Sequence, residues 1–166
     1  KLLRHELDQA IGMVPQKAFL FSGTLEDNLR DGKPDATQEE LWEALSIAQA
    51  KEFVEKNERG LKMKVSEGGT NFSGGQRQRL AIARAIVRRP SIYLFDDSFS
   101  ALDYRTDQEL RTALKPVTQN AAVIIVAQRI STIKDADQIL VMNQGRIEAV
   151  GTHEELMQSS RTYQEI

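Results

Sequence analysis

The sequence predicts an α/β fold built on a mainly parallel sheet, and its apolar segments carry that prediction. Residues 92–95 and 121–127 are continuously apolar and rich in Ile, Val or aromatic side chains. Such runs are typical of strands buried on both faces of a parallel sheet. A third apolar segment covers Ile11–Val14. Helical patterns lie between these segments, as α/β layering requires.

Helix start signals separate the predicted strands. A Ser or Thr followed three residues later by an acid or Gln forms a capping box, which satisfies free N–H groups in the first turn of a helix. The pairs are Thr24/Asp27, Thr37/Glu40, Ser73/Gln76 and Thr152/Glu155. Apolar residues at helical spacing follow Thr37 and Ser73, so the sequence predicts amphipathic helices there.

Prolines and a glycine turn predict where several elements end. Pro90 is expected to stop the helix that follows Ser73. A helix starting at Tyr104 is expected to run to Leu114 and to end at Lys115-Pro116. Near the end of the chain, residues 138–142 and 146–150 flank Asn143-Gln-Gly145 and predict a hairpin.

The composition is that of one soluble domain with a core. The chain has 166 residues, 40% of them hydrophobic and 28% charged, and its net charge is -2. Without a basic excess, we expect no nucleic-acid partner. The longest apolar run, 121–127, is far short of the roughly 20 residues that a membrane helix needs.

Metal sites based on Cys or His are not expected. Cysteine is absent, which excludes disulfides and thiolate ligands and fits a reducing compartment. The two histidines, His5 and His153, are too few and too far apart in sequence to indicate a zinc site. The opening Lys-Leu-Leu-Arg-His lacks the apolar core of a signal peptide.

Polar side chains follow each predicted core strand. Gln16 follows the first strand, Asp96 and Asp97 the second, and Gln128 the third. Ligands of open parallel sheets bind outside the carboxyl ends of the strands, so neighbouring strands would place these side chains in one crevice. The alternative is that strand ends are simply exposed, in which case polar residues there carry no functional meaning.

The adjacent acids Asp96 and Asp97 are the most informative of these residues. One carboxylate at a strand end can hold Mg²⁺ together with phosphate oxygens, and a second can orient or deprotonate an attacking water. The alternative interpretation is a surface turn, because Asp is a good turn residue.

Ser73-Gly74-Gly75-Gln76 predicts a phosphate-binding helix start. Free N–H groups and partial positive charge at a helix N-terminus attract anions, and two glycines let an anion approach the backbone. The alternative is a well-capped structural helix with a solvated basic face. Capping explains Ser73 and Gln76 but not two glycines, which destabilise the first turn.

The phosphate-binding loop Gly-x-x-x-x-Gly-Lys-Ser/Thr is missing. Its nearest match begins at Gly69, but Gly75 and Gln76 stand where the lysine and hydroxyl are needed. The match also does not follow a buried strand. We therefore do not interpret it as a P-loop.

Taken together, these residues resemble the motifs of ATP-binding cassette (ABC) ATPases, in the family's order and over nearly the whole chain. The matching segments are Val14-Pro-Gln16 (Q-loop), Asn71–Arg79 (signature), Ser91–Asp97 (Walker B), Ser100–Asp103 (D-loop) and Val126–Arg129 (switch). Residues 19–28 look most like bacterial multidrug exporters. Lys64–Gly69 occupies the place of the exporter X-loop, although Ser66 stands where that loop usually has glycine.

The resemblance implies a fold and a domain division. It implies a partial RecA-like P-loop NTPase core with an α-helical signature subdomain. Residues 17–88 are expected to hold the Q-loop and the helical subdomain, and residues 1–16 and 89–166 parts of the core. The Walker A loop and the adenine-stacking aromatic are absent, so the chain is expected to be a truncated, C-terminal fragment of the family domain.

The resemblance also assigns roles, with ATP and Mg²⁺ as the bound groups. Asp96 and Gln16 are expected to hold the metal, and Asp97, Gln128 and Gln16 to form the catalytic group. Ser73, Gly74, Gly75 and Gln76 are expected to contact the nucleotide bound mainly by a second subunit. Asp103 is expected at the dimer interface, and residues 19–28 at the transmembrane domain.

Two substitutions predict a degenerate site. Asp97 stands where the family has a catalytic glutamate, and its shorter side chain misplaces the carboxylate; a shift on the order of 1 Å can cost about 100-fold in rate. Gln128 replaces the switch histidine and cannot become an imidazolium. Both changes resemble the degenerate half of a heterodimeric exporter, located at the cytoplasmic face of the plasma membrane.

The isolated chain is predicted to be inactive as an ATPase and to bind nucleotide at best in the millimolar range. Two other interpretations stay open at this point. One is a soluble ABC ATPase without a transporter, and the other is a non-catalytic regulatory ABC subunit.

Overall fold

The computed structural model describes residues 4–166 and divides into two compact units. The first unit runs to Ile124, and the second covers Ile125–Ile166. Every helix in the described range is too short or too polar to cross a membrane.

Helices make up most of the regular structure. In chain order they are α1 (Arg4–Ala10), α2 (Leu25–Arg30), α3 (Gln38–Ile47), α4 (Lys51–Glu55), α5 (Gly74–Arg88), α6 (Tyr104–Thr118), α7 (Ile130–Ile133), α8 (His153–Ser159) and α9 (Arg161–Glu165). Single 3₁₀ turns occur at Gly60–Lys62 and Glu67–Gly69.

The strands form one parallel-paired sheet and two short antiparallel pairs. In chain order they are β1 (Ile11–Val14), β2 (Gly23–Thr24), β3 (Lys64–Val65), β4 (Ile92–Asp96), β5 (Ala122–Val126), β6 (Ile139–Asn143) and β7 (Arg146–Gly151). The order in the main sheet is β1-β4-β5, and β1 pairs with β4 in parallel. This confirms the predicted α/β fold with a parallel sheet.

The predicted helix starts are confirmed. Thr24, Thr37, Ser73 and Thr152 each accept a hydrogen bond from the backbone N–H three residues on, and the side chain at that position bonds back to the cap residue's N–H. These reciprocal bonds fix where α2, α3, α5 and α8 begin.

The core of the first unit is centred on α5. Leu80, Ile82 and Ala83 are completely buried on this helix, and α3 and β1 pack against it. The helix ends at Arg88, and Arg89 adopts a left-handed conformation (φ 48°) directly before Pro90, as the sequence predicted.

The prediction for β5 is only half right. The strand exists and is an end strand of the sheet, but it is not buried on both faces. Val123, Ile124 and Val126 are 41%, 52% and 50% exposed. Its uniformly apolar side chains therefore form a surface that residues 4–166 leave exposed. A run of apolar residues predicts a strand, but it does not show what packs against that strand.

The predicted end of α6 is wrong. The helix does not stop at Leu114 but includes Pro116 and continues to Thr118. Proline lacks the N–H that would bond to the carbonyl four residues earlier, and its ring crowds that carbonyl, so the helix continues past Pro116 only with other support. The Thr118 hydroxyl donates to the Leu114 carbonyl oxygen at 3.0 Å, which supports the turn around the proline.

The second unit contains the predicted hairpin and three short helices, α7, α8 and α9. β6 and β7 pair antiparallel across a tight turn, in which Gln144 and Gly145 have positive φ angles of 47° and 76°. That turn type matches the twist of a hairpin. Ile139, Val141, Leu156 and Tyr163 form its small core.

Candidate functional site

The carboxyl ends of β1 and β4 bring two of the predicted residues together. Val14 is level with Phe95 in the parallel register, so the segments that follow leave the sheet side by side. The Gln16 side-chain amide Nε2 donates a hydrogen bond to Asp97 Oδ2 at 3.2 Å. Residues 81 positions apart thus meet at the edge where the sequence placed a crevice.

Two buried polar side chains hold this edge in place. The Ser98 hydroxyl donates to the Val14 carbonyl oxygen at 2.7 Å, and Ser98 is completely buried. Gln78 on α5 is 2% exposed and donates through Nε2 to the Pro15 carbonyl oxygen at 3.3 Å. These bonds fix the two residues before Gln16 to the segment after β4 and to α5, and buried hydrogen bonds of this kind are costly to break.

Sequence reasoning missed Ser98 and Gln78. Ser98 follows the acidic pair without any motif of its own. Gln78 gives a weak signal, because it is an amide three and four residues before the buried Ala81 and Ile82 and so lies on the apolar face of α5. Both act through backbone carbonyls, and no sequence pattern shows which carbonyl will lie nearby.

The acidic pair also forms a turn, as its alternative interpretation proposed. Asp97 has a positive φ of 45°, which is uncommon for a residue with a side chain. Its carbonyl oxygen accepts a hydrogen bond from the Ser100 hydroxyl at 3.0 Å. The turn and a ligand role are compatible, since strained backbone is frequent at functional sites.

The side chains at this edge are of the kind that binds Mg²⁺. Asp96 and Asp97 supply carboxylate oxygens, and Gln16 supplies an amide oxygen because its Nε2 is the atom that faces Asp97. Mg²⁺ is usually held by one or two carboxylates together with water and phosphate oxygens. In the described range no three His, Asp or Glu residues are grouped as an all-protein metal site.

The start of α5 is an open helix N-terminus. Ser73 caps the helix through its side chain and is exposed, so its backbone and hydroxyl lie at the surface. A Cβ atom added at Gly74 would meet nothing within 4 Å. Free space above the first turn is what an anion needs in order to reach the backbone N–H groups.

Gly75 faces a different neighbour. A Cβ at this position would lie 3.3 Å from the carbonyl oxygen of Ala101. The segment before α6 therefore packs directly on the first turn of α5. The two glycines serve different purposes: Gly74 leaves open space and Gly75 permits a close backbone approach.

Asp103 caps α6. Its carboxylate accepts from the Thr106 backbone N–H at 3.0 Å and from the Thr106 hydroxyl at 2.7 Å. These hydrogen bonds hold the pKa of Asp103 below its ordinary value. The residue expected at a dimer interface is thus an exposed, ionised helix cap.

Arg79 connects α5 to the α4 region. Its guanidinium donates to the Gln49 carbonyl oxygen at 2.6 Å and lies 5.0 Å from the centre of the Phe53 ring. Burial lowers the pKa of Arg79, and the charge of Asp103 acts in the opposite direction. This arginine is part of the packing behind the helix start.

Residues 19–28 form a surface with two exposed aromatic rings. Phe19 and Phe21 are 46% and 50% exposed and contact each other edge to face at 5.4 Å. Arg84 of α5 donates to the Phe19 carbonyl oxygen at 2.9 Å and lies 5.5 Å from the Phe21 ring centre. Asn28 is buried and exchanges hydrogen bonds with the Phe21 backbone at 2.8 Å.

Segment Lys64–Gly69 lies beside that surface. β3 pairs with β2, and the Gly68 N–H donates to the Leu20 carbonyl oxygen at 2.9 Å. The segments that the sequence related to exporter loops are therefore neighbours in the fold, both connected to α5 through its arginines.

Gln128 lies in the second unit, two residues beyond β5, with an exposed side chain. Its assignment to the same site as Gln16 and Asp97 stays a prediction.

Comparison with known proteins decides the family. A family model described as ABC transporter matches residues 2–100. The chain belongs to the ABC transporter family. An uncharacterized ABC transporter ATP-binding protein of Mycobacterium tuberculosis is 54% identical over 159 residues, which cover 94% of this chain and 27% of that protein.

Other relatives agree with this membership. The uncharacterized ABC transporter ATP-binding protein YknU of Bacillus subtilis is 47% identical over 156 residues, covering 94% of this chain and 27% of YknU. A putative export ATP-binding/permease protein of Rickettsia bellii is 40% identical over 162 residues, covering 98% of this chain and 28% of that protein. This ABC-family chain spans little more than a quarter of the length of these relatives.

A solved structure confirms the fold. A bacterial Atm1-family ABC exporter with ATP bound matches with a TM-score of 0.95 and 37% identity, over 99% of this chain and 29% of that one. The fold is therefore the mixed α/β, RecA-like fold of an ABC exporter's nucleotide-binding domain, as the sequence predicted.

Proposed function

We propose that this ABC-family chain is part of a nucleotide-binding domain that couples ATP binding and hydrolysis to export of a substrate across a membrane. The single observation that carries the proposal is the Gln16–Asp97 hydrogen bond at the carboxyl ends of β1 and β4. It places an amide and carboxylates where ligands of parallel sheets bind. The family membership supplies ATP as the ligand.

Asp96 and Gln16 would hold Mg²⁺ at this edge. The metal, when bound, neutralises charge on the phosphate oxygens of ATP. Asp97 is then the carboxylate available to orient the attacking water, and Gln16 positions it through the 3.2 Å hydrogen bond.

Ser73, Gly74, Gly75 and Gln76 would bind the terminal phosphate of a nucleotide held mainly by a second ABC subunit. The exposed cap and the open space above Gly74 support this role. Asp103 would lie at the same dimer interface. Its segment packs on Gly75 through Ala101, so a change at the interface can reach the start of α5 directly.

Of the two nucleotide sites in the proposed dimer, the one formed by this chain's own strands would hydrolyse ATP more slowly. Asp97 has one methylene fewer than glutamate, and Gln128 cannot carry a proton as an imidazolium. The start of α5 keeps its serine, glycines and glutamine. The partner is therefore a different ABC subunit, whose hydrolysis site this chain completes.

The Phe19–Phe21 surface would dock on the transmembrane domain of the exporter. Its two rings are half exposed, and Arg84 connects their backbone to the helix that begins at Ser73. A movement of α5 at the nucleotide can thus be transmitted through this one helix to the transmembrane domain. This arrangement would place the chain at the cytoplasmic face of the plasma membrane.

Restoring the family's glutamate at position 97 and its histidine at position 128 in the intact exporter tests the proposal. Asp97→Glu combined with Gln128→His should raise ATP turnover, because a lengthened carboxylate and a titratable ring complete the second site. Asp35→Glu with Gln108→His, at two exposed positions, is the matched control. A soluble, transporter-free ATPase would hydrolyse ATP without any membrane domain. A regulatory subunit would gain no turnover from the restored pair.

A further inference from the structure

The segment that carries Gln16 is held against α5 at two points. Gln78 Nε2 donates to the Pro15 carbonyl oxygen at 3.3 Å, and the Arg84 guanidinium donates to the Phe19 carbonyl oxygen at 2.9 Å. Both donors belong to the same helix. Gln16 comes directly after the first of these two attachments, so its backbone is tied to α5 at the residue before it.

The backbone that leads into Gln16 is already fixed up to Pro15. The Ser98 hydroxyl holds the Val14 carbonyl oxygen at 2.7 Å, one residue after Asp97 in the chain. The peptide between Val14 and Pro15 is planar, and the ring of proline locks its φ angle. The ψ angle of Pro15 is therefore the one backbone rotation that is left before Gln16.

The Gln78 hydrogen bond fixes this remaining rotation. A change in the ψ angle of Pro15 turns its carbonyl oxygen, which is the atom that Gln78 holds. The same planar peptide contains the backbone nitrogen of Gln16. A donor that holds the Pro15 oxygen thus also sets the direction in which Gln16 leaves the segment, and Gln16 Nε2 then lies 3.2 Å from Asp97 Oδ2.

Burial makes Gln78 a well-defined donor. The residue is almost completely buried, on the face of α5 that also buries Ala81 and Ile82. An amide in apolar surroundings has lost its bonds to water, so orientations without the Pro15 partner are unfavourable. Gln16 is exposed and has no such restriction, so its direction depends on the backbone that carries it.

We propose that Gln78 is a positioning residue that turns Gln16 toward Asp97 and makes their contact depend on the position of α5. Its significance for hydrolysis rests on the function proposed above. Because α5 begins at the segment proposed to bind the partner's nucleotide, a shift of this helix changes the Gln16–Asp97 contact in this chain's own site. Gln78 itself contacts neither nucleotide nor metal and acts through Gln16.

NMR of the full 166-residue chain tests the positioning without any nucleotide. The side-chain NH₂ signal of Gln16 is assigned by its absence in Gln16→Ala. Asp97→Asn removes the charge that this amide faces and should shift the signal, while asparagine still suits the positive φ angle of the turn. Gln78→Met keeps the size of the side chain but removes the donor. In that background Asp97→Asn should give less than about half of the shift, because losing a neutral hydrogen bond changes such an equilibrium about fivefold.

Ile82→Val is the matched control, since it reduces packing on the same buried face of α5 and leaves Gln78 in place. In the Ile82→Val background the Asp97→Asn shift should keep its full size. A full-sized shift with Gln78→Met, or an equal reduction with Ile82→Val, would overturn the proposal. If Gln78→Met does not fold, Gln78→Asn takes its place with the same two outcomes, because its shorter side chain loses the bond to Pro15.

ATP turnover in the intact exporter separates this role from the proposed function. If Gln78 acts through Gln16, the double variant Gln16→Ala/Gln78→Met should turn over ATP as fast as Gln16→Ala alone. A further loss in the double variant would overturn the proposal and assign the effect of Gln78 to the start of α5. If Gln16→Ala leaves turnover unchanged, the proposed role of Gln16 in hydrolysis fails, and the NMR comparison alone decides whether Gln78 positions it.

Discussion

Gln16 and Asp97 join the segments that follow two neighbouring parallel strands through a side-chain hydrogen bond, with Nε2 and Oδ2 3.2 Å apart. The amide donates and the carboxylate accepts, so the contact depends on Gln16 being neutral. Asp97 is held in place by its turn as well as by this bond, because its carbonyl oxygen accepts from Ser100.

Gln16→Glu should therefore destabilise the fold through charge repulsion. In bulk water two carboxylates about 4 Å apart repel by about 1 kcal/mol, and a loss of that size lowers the melting temperature by about 2–4 °C in a domain of this size. Salt screens such repulsion, so the loss should shrink in 1 M NaCl. Thermal melting at two ionic strengths measures this, with Gln108→Glu on exposed α6 surface as the control. An equal loss at both salt concentrations would rule out repulsion.

The two glycines at the start of α5 should respond differently to alanine. Gly74→Ala adds a methyl group to open space and should stabilise the helix by about 0.5–1 kcal/mol. Gly75→Ala places a Cβ 3.3 Å from the Ala101 carbonyl oxygen and should lose that gain to strain. Urea unfolding of both variants gives the difference, expected to be about 1 kcal/mol or more. Equal stabilisation by the two variants would show that the segment around Ala101 moves away from the added methyl group at no cost in stability.

Asp103 should make the stability of the chain depend on pH in the acid range. Hydrogen bonds from Thr106 lower the pKa of Asp103, so the folded state favours the carboxylate. The resulting stabilisation is complete above the ordinary Asp pKa of about 3.9 and is lost as pH falls through the lowered value. The difference in unfolding free energy between the native chain and Asp103→Asn should therefore shrink between pH 5 and pH 2. Asp35→Asn, in an exposed loop, serves as the control; a constant Asp103→Asn effect would contradict the prediction.

The isolated 166-residue chain should bind MgATP weakly. Its sequence contains no Gly-x-x-x-x-Gly-Lys-Ser/Thr loop, and that loop supplies the amide cradle and lysine for the β- and γ-phosphates. We expect millimolar affinity at best by isothermal titration calorimetry, and no phosphate release. Micromolar binding would mean that the edge formed by Gln16, Asp96 and Asp97 is sufficient by itself.

The sequence predicted those features that are determined locally. Capping boxes fixed where α2, α3, α5 and α8 begin, because their bonds involve residues only three apart. The meeting of Gln16 and Asp97 also followed from the sequence, since parallel strands end at one edge.

The features that the sequence did not predict depend on tertiary contacts. The bonds of Ser98 and Gln78 end on backbone carbonyls of β1 and the residue after it, which no motif marks. The close approach of Gly75 to Ala101 depends on how the loop before α6 packs on the first turn of α5. Periodicity described β5 as buried, whereas the described residues leave much of it exposed.

The most direct test of the central claim compares two alanine variants in the intact exporter. If the start of α5 completes the stronger site in the partner subunit, Ser73→Ala should lower ATP turnover far more than Asp97→Ala does, because each acts on a different nucleotide. Turnover is measured with both subunits present at saturating MgATP. A larger loss from Asp97→Ala than from Ser73→Ala would contradict the account and assign the stronger hydrolysis site to this chain's own strands.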